Sequence, residues 1–425
     1  MTKITTWIKK PKLLALFGCM CCTACLLFSC NRKADYQPSQ TQQSAPATPQ
    51  YALNGPVIRV AALRDPNEIR VAASDAPARV FDARGQEVMR IAPNQECAVS
   101  MSGGNVLING RPALDGTFVR IQSLNSDNFL QMAGAELAPQ VRIQTDPKGG
   151  LVLIAELGLE DYLTGVLVGE VPVNRWHEEA LKAQAVTSRS FALSQMRQRA
   201  NEPYDVEATV MSQVFKPGHR NNPTVVKACQ ATRGLVLTCQ GRYFPAYFHS
   251  TCGGQTSAVE RIFPGQEAVP CLRGTSCPFC TASPSYTWHL RLSKEALRTK
   301  LSGSMDVAGA QIGQISSIEF LGGSGNPARA EQVRIHHSFG TATLPANRFR
   351  ILAGAGELKS VQLTGLSDAG DAFEISGRGF GHGVGLCQYG SQGMALQGYS
   401  YEQILGFYFP GGELTKAYAA EVASK

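Results

Sequence analysis

"EDYLTGVLVGEVPVNRWHEEALKAQAVTSRSFALSQMRQRANEP", residues 160–203, sets the fold class because it changes the texture of the chain. Asn174 as cap, Glu178 and Glu179 in a first turn and Pro203 beyond the end predict one long helix. Ala180, Ala183, Ala185, Ser188, Ser190 and Ala192 keep that helix slim, so other backbones can approach it and burial is expected. Ahead of it, Glu160 and Asp161 suit the N-terminus of a shorter helix. Glu170 stands in an apolar run, where partial burial raises a carboxyl pKa toward the range of a general acid; an exposed loop glutamate is the alternative.

Upstream, from Val57 to about Gly150, the chain reads as short β segments such as "VIRVAAL", "EIRVAAS", "FVRIQS" and "VRIQTD", separated by Asp, Gly, Asn and Pro. Downstream, "SYEQILGFYF" opens with a capping box from Ser400 to Gln403 and stops at Pro410 and Gly411. No internal repeat is present. The expected class is α+β, a β-rich N-terminal part (56–150) packed with a mixed α/β core (151–414) containing one long buried helix, followed by a tail (415–425).

"GRGFGHGVGLCQYG", residues 377–390, has a glycine at every second position from Gly377 to Gly385. If extended, one face is bare backbone and the other carries Arg378, Phe380, His382, Val384 and Leu386. Such a face implies close approach of a ligand or another backbone, or else a flexible loop. The period of two does not match the G-x-G-x-x-G of dinucleotide sites.

Of thirteen cysteines, Cys252, Cys271, Cys277 and Cys280 lie close together, the last two as C-P-F-C. Four thiolates including a C-x-x-C pair suit tetrahedral zinc, with His249 as an alternative nitrogen ligand. Two disulfides are the competing reading in an oxidising compartment. Cys229 and Cys239 are a further candidate pair, while Cys97 and Cys387 have no evident partner. A redox role for C-P-F-C lacks the βαβ setting it requires.

The first twelve residues carry Lys3, Lys9, Lys10 and Lys12 and no acid, followed by an apolar run from Leu13 to Phe28. That run is short of the roughly 20 residues of a membrane span and fits a signal peptide (1–30). "LLFSC" resembles a lipobox ending at Cys30, the expected lipidation site, and Asn31 suits outer-membrane sorting in a two-membrane host. Residues 31–55, rich in Gln, Ser, Pro and Ala, read as a flexible tether. Without the signal, 36 basic residues face 33 acidic ones, a balance of +3. That surplus gives no case for nucleic-acid binding.

"LGLEDYLTGVLVGEVPVNRWHEEALKAQAVTSRSFAL" (157–193), "ATRGLVLTCQGRYFPAYFHSTCGGQT" (231–256) and "GRGFGHGVGLCQYGSQGMALQGYSYEQILGFYFPGG" (377–412) together resemble the SpoIID/LytB family of bacterial cell-wall proteins, in the family's order. In the SpoIID branch the resemblance implies a lytic transglycosylase acting on peptidoglycan strands stripped of stem peptides, with Glu170 at the catalytic position. It implies Arg189, Arg378, Gly381, His382, Gly383 and Gln388 as substrate-binding candidates, the glycine face forming a wall of the glycan groove. An ordinary packed histidine is the alternative for His382. The family includes zinc-bearing members, and members lacking these cysteines imply a structural rather than a catalytic metal. The amidase-enhancer branch implies the alternative, a non-catalytic glycan-binding protein that stimulates a cell-wall amidase. Cys387 departs from the serine associated with its position.

If Cys30 is the lipidated residue, Cys30→Ala expressed in a lipoprotein-processing host moves the protein out of the membrane fraction and removes the lipid mass. Unchanged fractionation and mass would exclude the anchor.

Overall fold

A computed structural model describes residues 55–418 except 66, 113–116, 148, 210–211, 303–311 and 326–327. The expected signal peptide with Cys30, and the expected tether up to residue 54, lie outside the described residues. The fold is α+β, as its mixture of helices and strands requires.

The first strands alternate buried and exposed residues in the way a half-buried sheet demands. Val119 and Ile121 point inward from Phe118–Ser123, and Val141 and Ile143 from Gln140–Thr145. These strands belong to a seven-stranded sheet whose order runs Val206–Glu207, Val57–Asp65, Leu151–Gly158, Gln140–Thr145, Phe118–Ser123, Ala78–Phe81, Glu87–Ile91. A six-stranded sheet, built around the antiparallel pair Glu68–Ala72 and Glu96–Ser102, contributes Ile69, Val71 and Val99 to the same apolar core.

Leu151–Gly158 leads directly into helix α1 (Leu159–Glu170), whose Tyr162, Leu163, Val166 and Leu167 complete that core. Helix α2 spans Glu178–Gln198 and is buried along most of its length. It starts later than the Asn174 cap expected from sequence. Arg175 N–H donates to the Pro172 carbonyl in a turn, and His177 becomes the cap, its Nδ1 accepting from Glu179 N–H at 3.3 Å. The small residues act as expected: Ala180, Ala183, Ala185, Ser188, Ser190 and Ala192 are all fully buried, and Ser190 Oγ accepts from Leu237 N–H at 2.8 Å.

Glu160 and Arg189 form the deepest polar contact. Both side chains are 0% exposed, with Arg189 Nε donating to Glu160 Oε1 at 2.9 Å and Nη2 to Oε2 at 2.8 Å. Gly234 N–H and Tyr418 Oη donate to the same Oε1, and Arg189 Nη1 donates to the Leu235 carbonyl. Glu160 therefore does more than serve the α1 N-terminus. The pair joins α1, α2, the strand Leu235–Cys239 and the C-terminal segment. Gly412–Lys416 pairs with Leu235–Cys239, so ordered structure runs past residue 414, where the core was expected to end.

A second apolar core gathers α2, the Leu235–Cys239 strand and the helices Gln388–Leu396 and Tyr401–Tyr408. The expected capping box of the last helix is formed by Ser400 and Gln403. Residues 287–378 carry a third core of their own: two three-stranded sheets and the helices Lys294–Ser302 and Ala346–Gly354.

Arg189→Met leaves the Glu160 carboxylate buried without its counter-charge, and such a loss costs about 3–5 kcal/mol. The urea midpoint at neutral pH is expected to fall accordingly, with partial recovery in Arg189→Met/Glu160→Gln. An unchanged midpoint would show that the pair does not hold the fold together.

Candidate active site

Glu170 is the last residue of α1. Two glycines, Gly165 and Gly169, clear one face of that helix for residues 214–216. A Cβ at Gly169 would lie 2.1 Å from the Val214 carbonyl oxygen, and one at Gly165 would lie 2.5 Å from that of Lys216. Close approach lets Val214 N–H donate to Glu170 Oε1 at 2.6 Å. Burial is the largest influence on the carboxyl and pushes its pKa up to about 7; the Val214 N–H, the Gln388 side chain and Lys216 offset it in part. The carboxyl therefore holds a proton near neutrality, as a general acid requires.

Glu170 opens on a cavity of about 630 Å³, within the usual range for small-ligand sites. Phe191, Tyr247, Phe263 and His382 form an aromatic wall, with Tyr247 and Phe263 ring centroids 4.9 Å apart and Phe263 and His382 5.3 Å apart. Of the cavity-lining polar atoms, His249 Nε2 is buried without a hydrogen-bond partner, and the buried Gln388 amide nitrogen faces the Glu170 carboxyl. His249 Nδ1 lies 3.1 Å from the Val384 carbonyl, which assigns the ring proton to Nδ1 and leaves Nε2 as an acceptor. Burial, reinforced by Arg329 and Arg350, pushes His249 down to about 3, so the ring is neutral. Among the described lining residues Glu170 is the sole carboxylate.

Of the two readings of His382, the contacts fit the packed histidine. Its Nδ1 accepts from Val384 N–H at 3.0 Å, and the ring also hydrogen-bonds to the Phe248 backbone. Both nitrogens are thereby engaged by the protein. His382 is a packed histidine that contributes ring surface to the cavity.

The glycine run is not an extended face open to a ligand. Gly377 ends in the strand Ala372–Arg378, but Gly379, Gly381, Gly383 and Gly385 have φ of +81°, +112°, +83° and +69°, the left-handed region that favours glycine. What lies against them is the protein itself. Added Cβ atoms would fall 2.6 Å from the Thr251 carbonyl oxygen at Gly379, 2.7 Å from His249 Cβ at Gly381 and 2.1 Å from the Tyr247 carbonyl oxygen at Gly385. The glycines let this loop bond to residues 247–251, with Phe380 N–H donating to the Thr251 carbonyl and Leu386 N–H to that of Tyr247. Gly381 also lines the cavity. Gly383 does not; its missing side chain makes room for the Arg329 guanidinium.

Two other candidates lie elsewhere. Arg189 is committed to Glu160 in the core, and Arg378 stacks over the Tyr286 ring, outside the cavity lining.

The cysteines also rearrange. Cys271 pairs with Cys239 in a disulfide, so neither the Cys229–Cys239 pair nor Cys271 as a metal ligand stands. The sulfurs of Cys252, Cys277, Cys280 and Cys387 lie within 4.8 Å of one another, all buried. His249 is occupied by the cavity and Val384. Tetrahedral zinc with Zn–S bonds of about 2.3 Å would set neighbouring sulfurs roughly 3.8 Å apart, and the Cys252–Cys280 separation is 3.4 Å. Cys252 N–H and Gly390 N–H both donate to Cys387 Sγ, and the buried Arg329, with unpartnered Nε and Nη1, supplies positive charge beside the thiols. This donor set fits a closed zinc site. Cys387, one of the two cysteines without an evident partner in the sequence, joins this cluster; the other, Cys97, and Cys229 are buried free thiols.

Sequence reading missed Tyr247, Phe263, Asn347 and Arg350. Tyr247 sits inside the quoted "PAYFHSTCGG" stretch, but nothing in "ANRFRILAG" marks Asn347 and Arg350 as cavity residues.

Comparison with known proteins places this geometry in a family. Residues 147–239, which include α1 and α2, match the family model described as SpoIID, Stage II sporulation protein. An uncharacterized protein of Brachyspira hyodysenteriae is 33% identical over 267 residues, covering 62% of this chain and 68% of its own length. Stage II sporulation protein D of Bacillus amyloliquefaciens is 29% identical, over 62% of this chain and 76% of that protein. The amidase enhancer of Bacillus subtilis is also 29% identical, but the match spans only 40% of its length. The chain belongs to the SpoIID/LytB family, with a cell-wall-related role.

Proposed function

We propose that the protein is a lytic transglycosylase that cuts the MurNAc–GlcNAc bonds of peptidoglycan strands already stripped of stem peptides. The observation that supports this reading is a single carboxyl, held protonated near neutrality, in a cavity with an aromatic wall and no second carboxylate among its described lining residues. Hydrolytic glycosidases typically need a pair of carboxylates. An intramolecular reaction needs one. Glu170 gives its proton to the glycosidic oxygen as the C1–O bond breaks, and the GlcNAc 4-hydroxyl leaves. The MurNAc 6-hydroxyl oxygen then bonds to C1 and its proton passes to the Glu170 carboxylate. The product is a 1,6-anhydro-MurNAc end, and the acid is regenerated. Gln388 Nε2 and His249 Nε2 are placed to donate to and accept from sugar hydroxyls. Tyr247, Phe263 and His382 offer ring faces to the apolar faces of sugars.

Zinc completes this reading as a structural ion held by Cys252, Cys277, Cys280 and Cys387. Bound there, it would cross-link the segments around the glycine loop and the start of the Gln388–Leu396 helix, keeping Gln388 beside Glu170. We also propose that a lipid on Cys30 and the tether hold the domain at a membrane surface in the cell envelope. A non-catalytic glycan-binding role that stimulates a cell-wall amidase is the second reading, favoured by the similarity to the Bacillus subtilis amidase enhancer.

Amidase-treated sacculi incubated with the wild type are expected to yield 1,6-anhydro-MurNAc ends by mass spectrometry. Glu170→Gln is expected to lose about 10²–10⁴-fold in rate. Cleavage by the wild type is expected to decline above about pH 7 as Glu170 loses its proton. Glycan binding without cleavage would favour the amidase-enhancer role, and cleavage retained by Glu170→Gln would move the acid elsewhere.

The same carboxyl makes a separate claim on stability. Its folded pKa is raised, so the native state holds the proton more tightly than the unfolded chain. This contribution is full below about pH 4.5 and is lost as pH rises through 7. Glu170→Gln should therefore be more stable than the wild type above pH 7, by something on the order of 1–3 kcal/mol, with the gap closing at acid pH. Denaturant midpoints at pH 5 and pH 8 measure it; a gap that does not change with pH would contradict the raised pKa.

Protein purified without chelator is expected to carry one zinc per chain. Cys387→Ser should lose it, whereas Cys271→Ser should keep it and free one further thiol at Cys239. A metal-free wild type, or zinc lost on Cys271→Ser and kept on Cys387→Ser, would overturn the assignment.

A further inference from the structure

Arg350, on the helix Ala346–Gly354, lines the same cavity as Glu170 and is only 7% exposed. Its Nε donates to Asn347 Oδ1 at 3.0 Å, and Nη1 reaches the Ala355 carbonyl at 3.5 Å. Both acceptors are neutral. Among the described residues no carboxylate forms an ion pair with Arg350, and Glu170 is bonded instead by Val214 N–H. Burial, with Arg329 adding to it, pushes the guanidinium down to about 10, still fully charged at neutral pH. The neighbouring imidazoles are neutral and carry no compensating charge. A desolvated cation facing a cavity without a counter-ion is costly unless an anion arrives with the ligand. Guanidinium geometry suits a carboxylate, which it can hold through two parallel N–H donors.

Resting on the glycan reading above, we propose that Arg350 recognises the free lactyl carboxylate of MurNAc and thereby selects peptide-stripped strands. The chemistry distinguishes the two forms of the strand. In intact peptidoglycan the lactyl carboxyl is tied up as the amide that begins the stem peptide and carries no charge at that atom. Amidase hydrolysis of that amide leaves a carboxylate at the end of the lactyl ether on C3 of the MurNAc whose C1 carries the scissile bond, the sugar that Glu170 must engage. A reaction that exposes this carboxylate must therefore precede this one. Arg350 is a substrate-selecting residue and takes no part in proton transfer.

The test uses the Glu170→Gln protein, so that ligand is not consumed, and two soluble glycan probes free of peptide. One keeps its lactyl carboxylates; the other has them converted to methylamides. By calorimetry the free-acid glycan is expected to bind roughly 10- to 100-fold more tightly, the effect of one charged hydrogen-bonded contact. Adding Arg350→Met should collapse that ratio to near one with little change in affinity for the methylamide, and Arg350→Lys should retain part of it. Equal binding of both probes by the parent overturns the proposal and leaves the glycan reading standing, and a preference that survives Arg350→Met also overturns it. Binding of neither probe sinks the glycan reading itself. The parent's ratio alone decides the matter if Arg350→Met does not fold.

Discussion

The buried ion pair between Glu160 and Arg189 is the constraint on which the arrangement depends. A charge with no exposure is tolerated only when its partner and its remaining hydrogen bonds are all in place. Glu160 and Arg189 meet this condition through α1, α2, Gly234, Leu235 and Tyr418. Elements far apart in sequence must therefore converge on one point. That convergence fixes α1 in register against α2, and α1 ends at Glu170. The carboxylate at the start of the helix and the one at its end, which opens on the cavity, have opposite environments: the first has a guanidinium, the second a backbone N–H, an amide and a lysine.

The cavity is assembled from separate parts of the chain. Helix α1 supplies Glu170, the 247–250 segment supplies Tyr247 and His249, the glycine loop supplies Gly381 and His382, and the 287–378 region supplies Asn347 and Arg350. Glycines make the assembly possible at two levels. Gly165 and Gly169 admit the Val214 backbone against α1, and Gly379 to Gly385 admit the glycine loop against residues 247–251. At Gly169, Gly379 and Gly385 the missing side chain serves another backbone, and at Gly383 it serves the Arg329 side chain. With both His382 nitrogens held by the protein, the polar atoms left for a ligand are few, and they differ in kind: a proton on Glu170, a donor on Gln388, an acceptor on His249 and a charge on Arg350.

The cysteine cluster adjoins the C-terminal end of that same loop through Cys387. Cys387 precedes Gln388, so whatever holds its sulfur also sets the start of the helix carrying Gln388. Arg329 fills the space above Gly383 and donates to the Cys252 carbonyl at 2.7 Å, placing positive charge near both the thiols and the two cavity imidazoles. One buried guanidinium therefore acts both on His249, which it helps keep neutral, and on the cysteine cluster.

Local signals carried much of this into the sequence. The period-two apolar segments before residue 150, the small-residue helix containing Ala180 to Ala192, the Ser400 capping box and a lone glutamate in an apolar run each depend on near neighbours, and each appears as a one-dimensional pattern. So does the need for close approach at the glycine run. Its partner does not, because an extended strand and a chain of left-handed turns share the same alternation. Only the tertiary structure decided that residues 247–251 fill that face, that Cys387 joins Cys252 while Cys271 turns to Cys239, that Arg189 is a core residue and that Arg350 reaches the cavity. Those outcomes depend on residues far apart in the chain, on contacts between the glycine loop and the 247–251 segment and on the 287–378 region lining the cavity that Glu170 opens on. A buried charge finds its partner in three dimensions, and no spacing along the chain records which partner it will be.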